Sequence, residues 1–263
     1  RQRQMCIRDR CEFGLGADGD GDRIGAVDEA GRFIYPDRLI ALLANDLLKD
    51  EDDALEDAAD DEHLRVIYDV KCSMSVEQAI LEAGGRPVMA RTGHSFMKRV
   101  LASMPECKMA AEMSGHIFLA DRGWYGFDCS LYNAARLIEL WSRQAPVVDG
   151  GPSFSNELDR LAPSLPTTGE VKVPCEEDDK IRVVSAITEA FNDMETSTVD
   201  GVRVRFNDDD GEYVGWYLAR KSNTEPVLVM RMEALSESTL QTMMDVVTER
   251  VSGIINIEKL LTA

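Results

Sequence analysis

The sequence predicts an α/β domain with a mixed, largely parallel sheet, followed by a small α+β domain. Between residues 24 and 143, strand-like and helix-like segments alternate, which is typical of a sheet whose parallel strands are connected by helices. After residue 166 the order changes to one helix, three consecutive strands and a closing helix. That order is typical of a separate α+β unit.

The first domain begins with a predicted hairpin, in which strands at 24–27 and 32–35 flank a turn at 29–31. Pro36 then suits the first turn of a helix. The apolar positions of that helix follow helical spacing, at Leu39, Ile40, Leu42, Leu43 and Leu47. The later segments predict a strand at 64–70, a helix at 76–83, a short strand at 87–90, a helix after 95 and a helix from about 128 to 143.

The stretch 145–166 is rich in proline, glycine and serine and predicts a linker. The second domain follows, with a helix at 178–191, strands at 202–206, 212–220 and 226–233, and a closing helix at 236–254. Residues 1–10 are basic and unpatterned, and we expect them to be non-native or disordered.

The net charge of −19 comes from 48 acidic and 29 basic residues. Such a chain repels nucleic acid and anionic membranes, and an anionic substrate would need a local cluster of cations. The acidic run 50–62 predicts a solvated loop. Six cysteines without a C-x-x-C pair argue against a zinc site or a disulfide framework. No segment resembles a membrane span or a secretory signal, and we therefore expect a cytoplasmic protein.

The first of four informative loops is the run DGDGDR at 18–23, with Asp18, Asp20 and Asp22 at alternate positions. Three such carboxylates can converge on one hard cation, such as magnesium. An EF-hand calcium loop and a solvated acidic turn are the alternatives. The EF-hand requires glycine where Arg23 stands and helices on both sides, whereas the following segment is strand-like.

The second loop region combines DVKC at 69–72 with RTGHS at 91–95, each after a predicted strand. The carboxyl ends of strands are where open α/β sheets place ligand groups. Lys71 could pair with phosphate or assist proton transfer. His94 could donate to an anion or fix the loop, and either residue alone could be structural.

The remaining two loops are EMSGH at 112–116 and RKSNTEP at 220–226. A carboxylate, a hydroxyl and an imidazole within five residues suit recognition of sugar hydroxyls, although an ordinary turn is the alternative. In the last loop, arginine, hydroxyls, an amide and backbone N–H groups could cradle a phosphate dianion. A polar hairpin turn is the alternative there.

Taken in this order, the four loops resemble those of the α-D-phosphohexomutase family, and most closely its phosphomannomutase/phosphoglucomutase branch. The loop at 18–23 is similar to the family's magnesium loop, the loop at 112–116 to its sugar-specificity loop, and the loop at 220–226 to its phosphate-binding loop. Met113 is typical of the mannose/glucose branch. Ala111 departs from the glycine that many members carry before the glutamate.

The resemblance implies an isomerase that interconverts hexose 1-phosphate and hexose 6-phosphate through a phosphoserine enzyme and a hexose 1,6-bisphosphate, with Mg²⁺ as cofactor. It assigns catalytic roles to Lys71 and Arg23 and metal binding to Asp18, Asp20 and Asp22. The residues it assigns to substrate binding are His94, Glu112, Met113, Ser114, Gly115, His116, Arg220, Ser222, Asn223 and Thr224.

The resemblance also implies a domain organisation. Residues 11–35 would form the tail of domain 2, residues 36–150 domain 3, and residues 151–263 a linker with domain 4. No Ser-His-Asn-Pro sequence, which carries the family's phosphoserine, occurs in the 263 residues. We therefore expect the chain to lack the N-terminal half of the enzyme and to be inactive by itself. A stand-alone sugar-phosphate binding module or partner subunit is the alternative.

Overall fold

A computed structural model describes residues 11–52, 64–144 and 151–256 of the chain. The chain forms two compact units, Arg1–Ser164 and Leu165–Ala263. The predicted start segment 1–10 and most of the acidic run 50–62 lie outside the described residues, as does the beginning of the predicted linker. Within the described residues, no helix is long and apolar enough to cross a membrane.

The first unit opens with a three-stranded antiparallel sheet formed by β1 (Phe13–Ala17), β2 (Ile24–Asp28) and β3 (Phe33–Ile34). Helix α1 (Pro36–Asp52) follows, and the apolar side chains between Leu39 and Leu48 are buried. The hairpin and the helix that begins at Pro36 were both predicted from the sequence.

The main sheet of the first unit has four strands in the order β5-β4-β6-β7. Its strands are β4 (Arg65–Asp69), β5 (Arg86–Ala90), β6 (Cys107–Ala111) and β7 (Ile117–Leu119). β4 runs parallel to β5 and β6, and β7 is antiparallel to β6. The sheet is thus mixed and largely parallel, as the sequence predicts, although β6 and β7 were not recognised as strands.

The helices cover both faces of this sheet, because successive side chains of a strand point to opposite faces. Val66, Tyr68 and Met109 pack in one cluster with helices α1, α2 (Met74–Glu82) and α4 (Ser130–Ser142). Ile67 and Phe118 pack in a second cluster with α3 (His94–Ser103). The result is a three-layer α/β/α arrangement that leaves the strand ends free to carry polar loops.

Helix α5 (Phe154–Leu161) lies inside the stretch that the sequence predicted as a linker. Ser153 caps it by accepting a hydrogen bond from the backbone N–H of Asn156. Phe154, Leu158 and Leu161 are buried in the core of the first unit. The linker prediction is therefore wrong for these residues, since an amphipathic helix buries its apolar side there.

The second unit is a five-stranded antiparallel sheet in the order β8-β12-β11-β10-β9. Its strands are β8 (Val171–Pro174), β9 (Thr196–Ser197), β10 (Val202–Asn207), β11 (Tyr213–Lys221) and β12 (Val227–Ala234). Helices α6 (Lys180–Ala190) and α7 (Glu237–Val251) contribute their apolar side chains to the same core as the sheet. The α+β prediction is confirmed, with β8 as an additional strand before the first helix.

Candidate functional site

The aspartate loop, residues 18–23, connects β1 to β2 of the antiparallel sheet, and the pairing of Ala17 with Ile24 closes it. The backbone N–H of Asp18 donates to the carbonyl of Arg23 across the loop at 3.3 Å. At the tip, the first residue of α4, Ser130, donates its N–H to the carbonyl of Gly21 at 2.9 Å. Because strands flank the loop on both sides, the EF-hand alternative is excluded.

The three loop carboxylates converge: Asp18, Asp20 and Asp22 each offer an oxygen within 4.8 Å of the others. Oδ1 of Asp22 is buried without a hydrogen bond among the described residues, and the Nε of Arg23 lies 3.7 Å from it. A buried carboxylate oxygen is costly unless a donor or a cation satisfies it. Carboxylate oxygens are the preferred ligands of Mg²⁺ and Ca²⁺, so the residues fit a hard divalent cation.

Arg23 closes the loop through Asp18. Its backbone N–H and its Nε donate to the two oxygens of Asp18, the latter at 2.6 Å. Burial tends to raise the pKa of Asp18, but the hydrogen bonds and positive charge of Arg23 outweigh it and lower the pKa from 3.8 to about 2. The aspartate therefore stays ionised at neutral pH, as a metal ligand must.

The sugar-loop candidate, residues 112–116, adjoins the aspartate loop directly. The N–H of Ile24 donates to the carbonyl of Gly115 at 3.3 Å, and Arg23 forms a β-bridge with His116. Gly115 has a φ of +96°, and a Cβ at this position would lie 3.1 Å from the carbonyl oxygen of Ile24. Glycine is thus required for the two loops to approach this closely.

Glu112 is only 2% exposed and sits at the carboxyl end of β6. It accepts hydrogen bonds from the N–H of Gly93 and, at 2.9 Å, from the hydroxyl of Ser114. Ser114 itself is exposed, whereas Met113 is half-buried against the core. The carboxylate therefore orients the serine and ties the sugar loop to the start of α3.

His116 links the same loop to charged groups on two sides. Its Nδ1 lies 3.1 Å from Oδ2 of Asp128 and 3.8 Å from Oδ2 of Asp22. Asp128 also pairs with the ammonium of Lys98 at 2.7 Å. On its other side, His116 stacks on His94, with ring centroids 5.5 Å apart. The structure thus places His116 next to the aspartate loop and His94 against His116.

The sequence analysis did not assign a role to Asp69, a fully buried carboxylate at the end of β4. It accepts hydrogen bonds from the hydroxyl of Thr92 at 2.9 Å, the N–H of Met113 at 3.2 Å and the thiol of Cys72 at 3.1 Å. These donors belong to the loops that follow β4, β5 and β6. One carboxylate therefore holds together the loops that carry Lys71, His94 and Glu112.

The phosphate-loop candidate, residues 220–226, connects β11 to β12 in the second unit. The hydroxyl of Ser222 accepts hydrogen bonds from the N–H groups of Thr224 and Glu225, at 3.3 and 3.2 Å. Its N–H donates to the carbonyl of Val227 at 3.0 Å. The predicted turn is therefore a side-chain-stabilised one, and it leaves Asn223 and Thr224 exposed.

Arg220 differs from the expectation of an open phosphate ligand, because it is 5% exposed. Its Nε donates to Asp200 at 2.9 Å, in an ion pair that is buried on both sides. Its Nη2 is buried without a hydrogen bond among the described residues. Arg220 is thus held rigidly at the end of β11 and keeps one unsatisfied donor.

A second residue that sequence reasoning missed lies beneath this loop. Lys180, the first residue of α6, is 1% exposed. Its ammonium donates to the carbonyls of Ser222 and Glu225, at 3.1 and 2.6 Å, and to the carboxylate of Glu177 at 2.5 Å. A lysine in the first turn of a helix gives no sequence signal of such a role, since most lysines there are solvated.

The cysteines described by the structure are all free, and Cys72 and Cys107 among them are buried. Burial raises the pKa of the Cys107 thiol to about 11, with a further contribution from the charge of Glu106. Such a thiol is unreactive at neutral pH. Cys107 therefore contributes to packing and not to the chemistry of the candidate site.

Two family descriptions match the chain. Residues 35–149 match phosphoglucomutase/phosphomannomutase, alpha/beta/alpha domain III, and residues 170–250 match the C-terminal domain of the same family. The curated phosphomannomutase/phosphoglucomutase of Pseudomonas syringae pv. tomato is 38% identical over 249 residues, which are 94% of this chain and 46% of that protein. The phosphoglucomutase of Neisseria gonorrhoeae is 37% identical, over 88% of this chain and 45% of that protein.

Solved structures agree with these matches. A phosphoglucomutase/phosphomannomutase family protein from Burkholderia thailandensis superposes with a TM-score of 0.78 at 35% identity, covering 96% of this chain and 50% of that one. The N-acetylphosphoglucosamine mutase of Aspergillus fumigatus, solved with GlcNAc-6P and magnesium, superposes with a TM-score of 0.60 at 16% identity, over 92% and 49% of the two chains, and shares the fold. The chain spans about half the length of the curated relatives it matches.

Proposed function

Because the chain belongs to the phosphoglucomutase/phosphomannomutase family, we propose that it supplies the metal-, sugar- and phosphate-binding groups of a phosphohexomutase. The enzyme would interconvert hexose 1-phosphates and hexose 6-phosphates of the glucose and mannose type. The observation that carries the proposal is the direct contact of the aspartate loop with the sugar loop, through the hydrogen bond from Ile24 to Gly115. This contact places cation ligands beside hydroxyl-binding groups, as transfer of a phosphoryl group to a sugar hydroxyl requires.

Asp18, Asp20 and Asp22 would hold Mg²⁺. The convergence of their oxygens supports this role, as does the buried Oδ1 of Asp22, which makes no hydrogen bond among the described residues. The ion would neutralise charge that develops on the transferred phosphoryl group. Arg23 and Lys71 would add positive charge near the same group. Arg23 is already aligned by Asp18, and Lys71 lies at the carboxyl end of β4.

The sugar would be held at the loop 112–116 and by His94. Ser114 is exposed, and its hydroxyl can still accept a hydrogen bond while it donates to Glu112. Glu112 sets the direction of that hydroxyl and can accept from sugar hydroxyls that approach its remaining lone pairs. His116 is oriented by Asp128 and can form a hydrogen bond with a ligand close to the aspartate loop.

The loop at 220–226 would bind the phosphate that is not reacting. Exposed Asn223 and Thr224 offer donors, and Ser222 can donate its hydroxyl hydrogen because its oxygen already accepts from two backbone N–H groups. Arg220 adds a fixed positive charge at the end of β11. The acidic net charge of −19 makes such local cations necessary for an anionic substrate.

In the proposed reaction, a phosphoserine transfers its phosphoryl group to the free hydroxyl of a hexose 1-phosphate, which releases serine and gives the hexose 1,6-bisphosphate. The serine then takes the phosphoryl group from C1, leaving the hexose 6-phosphate. Since no Ser-His-Asn-Pro sequence occurs in the 263 residues, the phosphoserine would come from the N-terminal half of the enzyme. The chain alone would bind substrate without turning it over.

The first unit offers a surface for that half. A depression of about 500 Å³ on the three-stranded sheet is lined mainly by small and apolar residues of β1 and β2, together with Asp18, Arg23 and Ser114. The neighbouring Phe33 and Tyr35 are exposed. Apolar surface next to catalytic loops suits contact with the missing part of the enzyme.

The cysteine pattern is consistent with a cytoplasmic enzyme.

The test is a fusion of the N-terminal half of the Pseudomonas syringae relative to residues 11–263. We expect the fusion to convert glucose 1-phosphate to glucose 6-phosphate in the presence of Mg²⁺, and the chain alone to be inactive. Ser114→Ala in the fusion should lower kcat/KM by about tenfold through loss of a hydroxyl contact, whereas the exposed Ser103→Ala should not. A fusion that binds glucose 1-phosphate but never turns it over would favour the alternative, a sugar-phosphate binding module.

A further inference from the structure

We propose that Lys180 is a positioning residue that presents the backbone N–H of Asn223 to a phosphate group. This inference rests on the proposed function, in which the loop at 220–226 binds phosphate. It adds a residue of another element, the first turn of α6, to that site. Lys180 would not touch the ligand; it would act through the loop backbone.

The ammonium of Lys180 is saturated. It has three hydrogens, and the structure supplies three acceptors: the carbonyls of Ser222 and Glu225 and the carboxylate of Glu177. The side chain is 1% exposed, so an unsatisfied ammonium here would be severely destabilised. The two carbonyls are therefore fixed in direction, with their oxygens pointing towards the ammonium.

Fixing these carbonyls determines where the following N–H groups point. The described residues contain no cis peptide bond, and in a trans peptide the C=O and the next N–H point in opposite directions. The carbonyl of Ser222 points at Lys180, so the N–H of Asn223 points away from it. Glu225 is followed by Pro226, which has no backbone N–H. Fixing the carbonyl of Glu225 therefore orients no further N–H group.

The N–H of Asn223 remains available. It makes no hydrogen bond with other described residues, and Asn223 is exposed. By contrast, the N–H groups of Thr224 and Glu225 are engaged by the hydroxyl of Ser222. Lys180 thus keeps one donor pre-oriented, which removes an ordering cost when an anion binds.

Lys172 provides a matched control, because it approaches the same loop from outside. Its ammonium forms an ion pair with the carboxylate of Glu225, and its side chain is 51% exposed. Lys172 and Lys180 therefore carry the same charge near the same loop. Only Lys180 holds the loop backbone, so a purely electrostatic role predicts similar effects for both residues, whereas a positioning role predicts an effect for Lys180 alone.

The experiment titrates inorganic phosphate, at constant ionic strength, into the ¹⁵N-labelled full chain and follows the amide signal of Asn223. We expect a saturable shift for the wild type, affinity weakened by about tenfold or more in Lys180→Met, and a change below about threefold in Lys172→Met. The unbound Asn223 signal should also move in Lys180→Met alone. If Lys180→Met does not fold, Lys180→Gln is used; it keeps two N–H donors on a shorter, neutral side chain and should weaken binding similarly.

The outcomes separate the two claims. If wild type shows no saturable shift, the phosphate role of the loop fails, and the role of Lys180 falls with it. If wild type binds phosphate and the Lys180 variant binds within about twofold of it, only the role of Lys180 is overturned. Equal losses in the two lysine variants would also overturn it, since charge alone would then explain the affinity.

Discussion

Replacing Asp69 with alanine tests whether one buried carboxylate holds the loops of the first unit together. Asp69 is fully buried and accepts hydrogen bonds from Thr92, Met113 and Cys72. The substitution removes the acceptor and leaves the donors in place. No other acceptor from the protein is left for the N–H of Met113, because its only hydrogen bond among the described residues goes to Asp69.

The expected cost can be worked from these contacts. A buried donor left without a partner costs about 1–3 kcal/mol. The contacts of Asp69 with Thr92 and Met113 are partly buried, so losing both costs at most about 2–6 kcal/mol, while the weaker thiol donor adds little. Removing the buried carboxylate also removes its desolvation penalty, which offsets part of this cost. We therefore expect Asp69→Ala to lower the free energy of unfolding by about 3 kcal/mol. That is a large share of the roughly 5–15 kcal/mol that stabilises a typical domain.

Hydrogen exchange measured by mass spectrometry gives the opening free energy of each unit separately. We expect Asp69→Ala to lower it for peptides from β4, β5 and β6 and to leave peptides of the second unit unchanged. Glu106→Ala is the control. The half-exposed carboxylate of Glu106, just before β6, pairs with Arg65 of β4 at 3.0 Å, and its loss should lower the free energy of unfolding by less than about 1 kcal/mol. An effect of Asp69→Ala no larger than that of the control would refute the reasoning.

Three further predictions follow from single contacts. Arg23→Ala should raise the pKa of Asp18 from about 2 towards 3.8, as measured by carboxyl ¹³C NMR. The stability that this pair contributes is present above pH 3.8 and lost as the pH falls through about 2; an unchanged pKa would contradict the pairing. Gly115→Ala should lower the free energy of unfolding by about 1–3 kcal/mol, because the φ of +96° at this position disfavours a side chain. Urea denaturation measures this free energy, and an unchanged value would show that the two loops need no close approach. Arg136→Met should lower the free energy of unfolding by about 3–5 kcal/mol, because it leaves the buried Asp121 without its cation. In the wild type, Nε of Arg136 lies 2.9 Å from Oδ2 of Asp121. A thermal unfolding midpoint within about 1 °C of the wild type would contradict this.

The parts of the fold that could be predicted from the sequence are those with local signals. Helix α1 has a proline at its start and apolar residues at helical spacing, so that its position follows from the pattern alone. The aspartate loop also has a local signal, because alternating aspartates and glycines suit a cation whatever the tertiary structure. β6 and β7 carry weaker signals, since they are short, are buried except at Lys108, and lack sustained alternation of polar and apolar residues.

Helix α5 was hidden by its surroundings. Proline, glycine and serine on both sides of it gave the stretch the composition of a linker. Its capping Ser153, with the apolar spacing of Phe154, Leu158 and Leu161, is the signal that could have found it. Composition averaged over twenty residues conceals an eight-residue helix.

The supporting residues of the site could not be predicted, because their roles depend on contacts between distant positions. Asp69 accepts from Met113, 44 residues away, and Lys180 donates to Ser222, 42 residues away. A single sequence gives no information on such pairs. The residues that would touch substrate lie in compact motifs, whereas the residues that orient them are scattered along the chain.

Isothermal titration of glucose 1-phosphate into the chain, with Mg²⁺ present, tests the central claim most directly. The claim is that these residues bind a hexose phosphate even without the phosphoryl carrier. We expect saturable binding that Ser114→Ala and Ser222→Ala each weaken by about tenfold, while Ser103→Ala leaves it unchanged. Absence of binding at millimolar glucose 1-phosphate, in a chain whose units are folded, would contradict the account.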